Sequence, residues 1–175
     1  MNPFYYILCR REAAEWMIHM KAAVFSDTHS CTALAMEAVR RCRPDLIIHL
    51  GDYVRDADAI HEEFPEIPLY SVRGNCDIAS DAPDTDVVPL GPVKVFITHG
   101  HIYNVNYGDY SNLAYAAMEA GAKVAAFGHT HEAEYEELGG VKVLNPGTAG
   151  KGRRLTWATV EVFDNGGVAV DIKNL

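Results

Sequence analysis

Apolar residues along this chain gather in short unbroken runs, and five of those runs stop abruptly at a polar group next to a glycine or a histidine. The first covers Lys21 to Ser26 and ends in Asp27-Thr28-His29-Ser30. A short continuous apolar run bounded by turn residues predicts a strand buried on both faces. Leu34, Ala35, Ala38, Val39 and Cys42 then recur at helical spacing. Ser30 or Thr32 is the expected cap of that helix, and Pro44 stops it. Asp45 to Leu50 is the second strand and ends in Gly51-Asp52. A polar helix follows from Val54 to Glu63, and a third strand, Pro68 to Arg73, ends in Gly74-Asn75-Cys76-Asp77. After an irregular acidic connection, Asp86 to Leu90 and Val93 to Thr98 form two strands around the Gly91-Pro92 turn. The second of these ends in His99-Gly100-His101. A helix from about Asp109 to Ala120 carries Leu113, Ala114, Ala117 and Met118 on one face, with Gly121 as its C-cap. Lys123 to Phe127 is the next strand and delivers Gly128-His129-Thr130-His131.

Beyond that point the pattern changes. Glu134 to Leu138 and Val141 to Asn145 flank Gly139-Gly140, and Leu155 to Phe163 and Val168 to Ile172 flank Asn165-Gly166-Gly167. Both read as hairpins. A βαβ-like first part followed by an all-β meander predicts an α/β domain of layers, with two sheets face to face and helices outside. Residues 20–175 form that single domain; residues 1–19 read as an N-terminal extension with a candidate short helix, either a start assigned too early or a real extension whose aromatics pack on a partner or on the domain's edge.

Composition narrows the function classes. The chain has 175 residues, 49% hydrophobic and 22% charged, with a net charge of -9. An acidic surface argues against binding a nucleic-acid polymer, which needs a basic face. No apolar run is long enough for a membrane span. Cys9, Cys31, Cys42 and Cys76 show no zinc-finger spacing. With no secretory signal, a cytoplasmic protein with reduced thiols is expected.

Ligand sites of α/β sheets lie beyond the carboxyl ends of the strands. Stacking the five strand ends gathers Asp27, His29, Asp52, Asn75, His99, His129 and His131. All offer oxygen or imidazole nitrogen, none a thiolate. In an extended loop His129 and His131 point to the same side. Seven such donors exceed one tetrahedral site and suit two cations, for which a shared carboxylate offsets repulsion. Asp52, with no other donor beside it in sequence, is the expected bridge.

Asp-x-His, Gly-Asp, Gly-Asn-x-Asp, His-Gly-His and Gly-His-x-His, in this order, resemble the motifs of the calcineurin-like metallophosphoesterases. The short spacing and the Asn145-Pro146-Gly147-Thr148 turn look most like the small YfcE-type phosphodiesterases, whose fold the retromer subunit Vps29 shares. The resemblance spans about Met20 to the C-terminus. It implies a four-layer αββα sandwich of two mixed sheets flanked by helices. It also implies a dinuclear centre in which Asp27, His29 and His131 hold one divalent metal, Asn75, His99 and His129 hold the other, and Asp52 bridges. The implied reaction is metal-dependent hydrolysis of a phosphate ester, most of all a phosphodiester, by a metal-activated water or hydroxide. Asp52, Asn75 and His99 are the implied catalytic set. Mn²⁺ is the expected metal, with Ni²⁺, Co²⁺, Fe²⁺ or Zn²⁺ as alternatives, and a small phosphate ester is the expected partner. A phosphomonoesterase on the same site, or a non-catalytic Vps29-like scaffold, are the rival readings.

Cys76 departs from the pattern, because many relatives carry a general-acid histidine there. Asp77 is expected to buttress Asn75 or a neighbouring amide, and His101 to stand behind the ligands or touch the phosphate. His49 reads as a core imidazole and His61 as solvated. Lys151, Arg153 and Arg154 are candidates for steering a phosphate, or a solvated basic loop. Tyr103, Tyr107 and Tyr110 are candidates for a pocket wall or a homo-oligomer contact.

Overall fold

The computed structural model describes residues 19–175. The extension assigned to residues 1–19 therefore lies, His19 apart, outside the described residues. Among the described residues, ten strands and three α-helices follow one another: β1 (His19–Phe25), α1 (Ala33–Cys42), β2 (Leu46–His49), α2 (Val54–Glu63), β3 (Leu69–Ser71), β4 (Thr85–Leu90), β5 (Val93–Thr98), α3 (Ser111–Glu119), β6 (Val124–Ala126), β7 (Ala133–Leu138), β8 (Val141–Pro146), β9 (Thr156–Phe163) and β10 (Val168–Asn174). They form two five-stranded mixed sheets, ordered β10-β9-β1-β2-β3 and β4-β5-β6-β8-β7.

The four layers follow from alternation along the strands. In β1, Ala22 and Val24 face a central core shared with Val95, Ile97, Val124, Ala126 and Leu144 of the other sheet. Ala23 and Phe25 face the opposite way, onto Ala35, Ala38 and Val39 of α1 and Ile60 of α2. The second sheet turns Phe96, Ala125 and Val143 outward onto Leu113, Ala114 and Ala117 of α3. Burial on both faces explains why these runs are unbroken rather than alternating. Phe25, fully buried, stacks on Trp157 with ring centroids 5.4 Å apart. Truncating such a side chain to alanine costs ~3–5 kcal/mol.

The fold class and the five strand ends stand as expected, with three local differences. The late strands are not one meander. The β7–β8 hairpin joins the second sheet through β6, while β9 pairs antiparallel with β1, from His19 opposite Phe163 to Val24 opposite Ala158. Hairpin signals are local, and which sheet a hairpin joins is decided by long-range pairing. Thr32 sits at the N-cap of α1 but makes no side-chain cap bond, and Ser30 gives its amide to Asp56 instead. Leu34 is 41% exposed, at the edge of the α1 stripe rather than within it. No helix among the described residues is long and apolar enough to cross a membrane.

Candidate metal centre

The carboxyl ends of β1, β2, β3, β5 and β6 meet on one rim, because β1-β2-β3 and β5-β6 are parallel runs within facing sheets. The loops leaving them are strained. Asp27, His29, Ser30, Asp52, Tyr53, His129 and His131 all adopt positive φ, between 44° and 78°. That conformation is disfavoured for residues with a Cβ and concentrates at functional sites. Two glycines allow the crowding. A Cβ on Gly74 would come within 2.1 Å of Asp52 Oδ1, and one on Gly128 within 1.9 Å of Ser26 Oγ.

One half of the rim is compact. Asp27, His29, Asp52 and His131 each offer a donor atom, and these atoms all lie within 4.8 Å of one another. His29 Nε2 and His131 Nε2 are 3.3 Å apart, and His131 Nε2 is 3.2 Å from Asp27 Oδ1. Asp27 is fully buried; its Oδ2 accepts from Ser26 Oγ at 2.6 Å and from the His129 amide at 3.1 Å. Its buried Oδ1 meets His131 Nε2 in an ion-pair contact that lacks hydrogen-bond geometry. Burial raises the Asp27 carboxyl, but His131, His99 and Ser26 outweigh it and hold the group below the usual carboxylate range. The same neighbour, Asp27, raises His131.

The other half gathers around His99, which is fully buried. Its Nδ1 lies 2.7 Å from the Leu50 carbonyl, which can only accept, so Nδ1 carries the proton. In the neutral ring Nε2 is then bare, yet it faces Asn75 Oδ1 at 3.1 Å and Asp52 Oδ1 at 3.4 Å. Three acceptors turned toward one another are what a cation site requires. Asp52 spans both halves: its Oδ2 is 3.7 Å from His29 Nε2, on the compact side. The His129 ring packs edge-on against His99, centroids 5.1 Å apart, and its Nε2 is met by Asn106 Nδ2 at 2.9 Å. Burial, then His99, lowers both His129 and His101 and favours the neutral form that binds metal.

The remaining predicted residues have clear positions. Asp77 accepts the amides of Tyr53, Val54 and Gly74 at 3.0, 2.9 and 2.9 Å; it buttresses backbone rather than the Asn75 side chain. His101 stands behind His99, ring centroids 5.5 Å apart, with a buried and unpartnered Nδ1. Cys76 offers its thiol to Asp52 Oδ2 at 3.2 Å and its amide to Oδ1 at 3.0 Å. Partial desolvation at the rim and the Asp52 carboxylate push the thiol of this exposed cysteine up to about 11. Tyr110 is a core residue against Phe127, 4.8 Å between centroids, and Tyr103 packs on Phe96, so only Tyr107 stands free. Arg154 turns to Asn174, whereas Lys151 and Arg153 are exposed on their loop. His49 is fully buried, and His61 is exposed.

Three residues were missed by the sequence reading as parts of the site. Asn106, from a loop of two short 3-10 turns, reaches His129. Asn145 gives its amide to the Gly128 carbonyl at 3.0 Å, and Thr148 gives its hydroxyl to the Asp27 carbonyl at 2.9 Å. The Asn-Pro-Gly-Thr turn thus ties the loop after β1 to the loop after β6. Its signal was a buried-strand asparagine followed by a turn.

Residues 20–165 match the model of the calcineurin-like phosphoesterase superfamily domain. A probable metallophosphoesterase of Bacillus subtilis is 34% identical over 132 residues, which cover 74% of this chain and 75% of that one. A phosphodiesterase of Methanocaldococcus jannaschii is 28% identical over 148 residues, covering 73% and 83%. The crystal structure of a predicted phosphoesterase of Streptococcus pneumoniae superposes with a TM-score of 0.71 at 26% identity, over 91% of this chain and 99% of that one.

Proposed function

The chain belongs to the calcineurin-like phosphoesterase superfamily, and we propose that its reaction is hydrolysis of a phosphodiester at a centre of two divalent cations. The observation that carries the second part is the donor set. His99 Nε2, Asn75 Oδ1 and Asp52 Oδ1 converge on one side of the rim, and Asp27 Oδ1, Asp52 Oδ2 and the Nε2 atoms of His29 and His131 on the other. Asp27, His29 and His131 would hold one cation, Asn75, His99 and His129 the other, with one oxygen of Asp52 toward each. When bound, such a pair supplies the Lewis acidity that activates a water and clamps phosphoryl oxygens. Mixed oxygen and imidazole donors accept Mn²⁺, Fe²⁺, Co²⁺, Ni²⁺ or Zn²⁺, and metal availability rather than the donor set selects among them; Mn²⁺ is the metal we propose.

The protein's own groups then set the substrate preference. Cys76 stays protonated at neutral pH and is a slow acid toward a leaving alkoxide. Esters with good leaving groups are therefore favoured. Beside it lies a cleft of about 370 Å³ lined by Tyr53, Arg55, Cys76 and Ile78, with the Arg55 guanidinium 4.7 Å over the Tyr53 ring. That cleft has room for a second ester arm, which favours diesters over monoesters.

The test is turnover of an aryl phosphodiester and the matching monoester by chelator-stripped protein, with each metal restored. Diester hydrolysis that depends on added metal and exceeds the monoester rate is expected. Folded protein with no turnover under any of these metals contradicts the reading.

A further inference from the structure

His49, Thr28 and Asp56 form a hydrogen-bonded chain beneath the rim that the chemistry above does not use. The Gly51 amide donates to His49 Nδ1 at 3.3 Å, so in the neutral ring Nε2 carries the proton. That N–H faces Thr28 Oγ1 at 3.0 Å, and the Thr28 hydroxyl donates onward to Asp56 Oδ2 at 2.7 Å. The same oxygen accepts the Ser30 amide at 2.7 Å. Direction is consistent along the whole chain, from a backbone N–H to a carboxylate. All three side chains are buried, His49 and Thr28 fully and Asp56 to 5% exposure.

The three residues belong to three elements. Thr28 lies between Asp27 and His29 in the loop after β1, His49 ends β2 two residues before Gly51-Asp52, and Asp56 sits in the first turn of α2. The chain therefore joins the two strained turns that carry donors of the compact half. Five residues in those turns have positive φ: Asp27 at 55°, His29 at 44°, Ser30 at 68°, Asp52 at 56° and Tyr53 at 78°. A backbone in that region persists only where its surroundings over-determine it. Here the Ser30 amide is held by Asp56, and the Thr28 side chain is held from both ends.

We propose that Asp56, Thr28 and His49 are positioning residues that lock the Asp27–His29 turn against the Asp52 turn and so set the metal affinity of the position framed by Asp27, His29 and His131. This rests on the metal-centre reading above. Removing the Thr28 hydroxyl leaves the His49 N–H and one Asp56 hydrogen bond unmatched in the interior, and the turn loses a tie on its inner side. Groups that orient metal ligands from behind change affinity by about 10–100-fold when removed.

The experiment is calorimetric titration of chelator-stripped, full-length protein with Mn²⁺, run on the wild type, Thr28→Val and Thr28→Ser, with thermal melts of each metal-free protein. Thr28→Val is expected to weaken one of two binding steps by about 10–100-fold and leave the other unchanged. Thr28→Ser, which restores the hydroxyl, is expected to return that step to near its wild-type value. If Thr28→Val does not fold, Asp56→Asn, which keeps the shape and removes the charge, is read in the same way. Equal weakening of both steps, or a serine variant no better than the valine one, identifies a general packing defect and overturns the proposal. Two unaltered steps in Thr28→Val overturn it while leaving the metal centre intact. No uptake by the wild type overturns both.

Discussion

The two halves of the rim are built differently. On one side the donor atoms of Asp27, His29, Asp52 and His131 lie within 4.8 Å of one another around a fully buried carboxylate. Buried groups hold that carboxylate and its loop from behind: Ser26 on Asp27 Oδ2, Thr148 on its carbonyl and Asp56 on the next turn. On the other side only His99 is fully buried; Asn75 and Cys76 are exposed, and Asn106 occupies the Nε2 of His129. On the proposed reading, the first half is held in place without a cation and the second is less constrained. Preorganised ligands lose less freedom on binding, so the two positions should differ in affinity. The open half also adjoins the Tyr53–Ile78 cleft, where an ester arm has access.

The largest effect tests what the halves share. Asp52→Asn should lower kcat/KM by roughly 10³-fold, the scale of losing a preorganised charge clamp, because one carboxylate serves both sides. Steady-state kinetics on an aryl diester reads this directly. Next, the halves should separate under single substitutions. His131→Ala should remove the tighter binding step and Asn75→Ala the weaker one, each by roughly 100-fold or more in Mn²⁺ affinity, measured by elemental analysis after dialysis. Identical losses from both variants would erase the distinction between the halves.

A pH effect of similar size centres on His49, beneath the compact half. Burial pushes His49 down to about 4, against an ordinary value of 6.5. Between those values the unfolded chain binds a proton there and the native state does not, so stability rises with pH. Metal-free protein should therefore lose on the order of 3 kcal/mol as pH falls from 7 to 4 on this account. His49→Gln should flatten that slope in denaturant titrations, and an unchanged slope would place the acid sensitivity elsewhere. The smallest effect concerns the open half. Asn106→Ala frees the His129 nitrogen and should tighten the weaker step by roughly fivefold, the scale of one hydrogen bond of ~1 kcal/mol. Calorimetry showing looser binding would make Asn106 a support of His129 rather than a competitor.

Much of this was legible in the amino-acid order because the strands end sharply. Where Leu50 gives way to Gly51-Asp52, or Phe127 to Gly128-His129, a buried run turns into a donor within two residues, and parallel strands bring such ends to one rim. The fold and the superfamily were readable from that pattern. What was not readable depends on approach through space. Asp56 lies on a helix that reads as polar, yet it is the buried acceptor of Thr28 and Ser30. Tyr110 looked available for a pocket and is held in the core beside Phe127, its hydroxyl on Glu134. Asn106 sits in a polar loop whose path only the two 3-10 turns determine. The split of the last two hairpins between sheets is likewise a matter of partner choice, since β9 and β8 carry similar apolar runs.

The most direct measurement is a crystal structure of the protein grown with Mn²⁺, with the metal located by anomalous scattering. Two peaks ~3.5–4 Å apart are expected, one among Asp27, His29 and His131 and the other among Asn75, His99 and His129, with an oxygen of Asp52 directed at each. A single peak, or manganese bound away from this rim, would contradict the account.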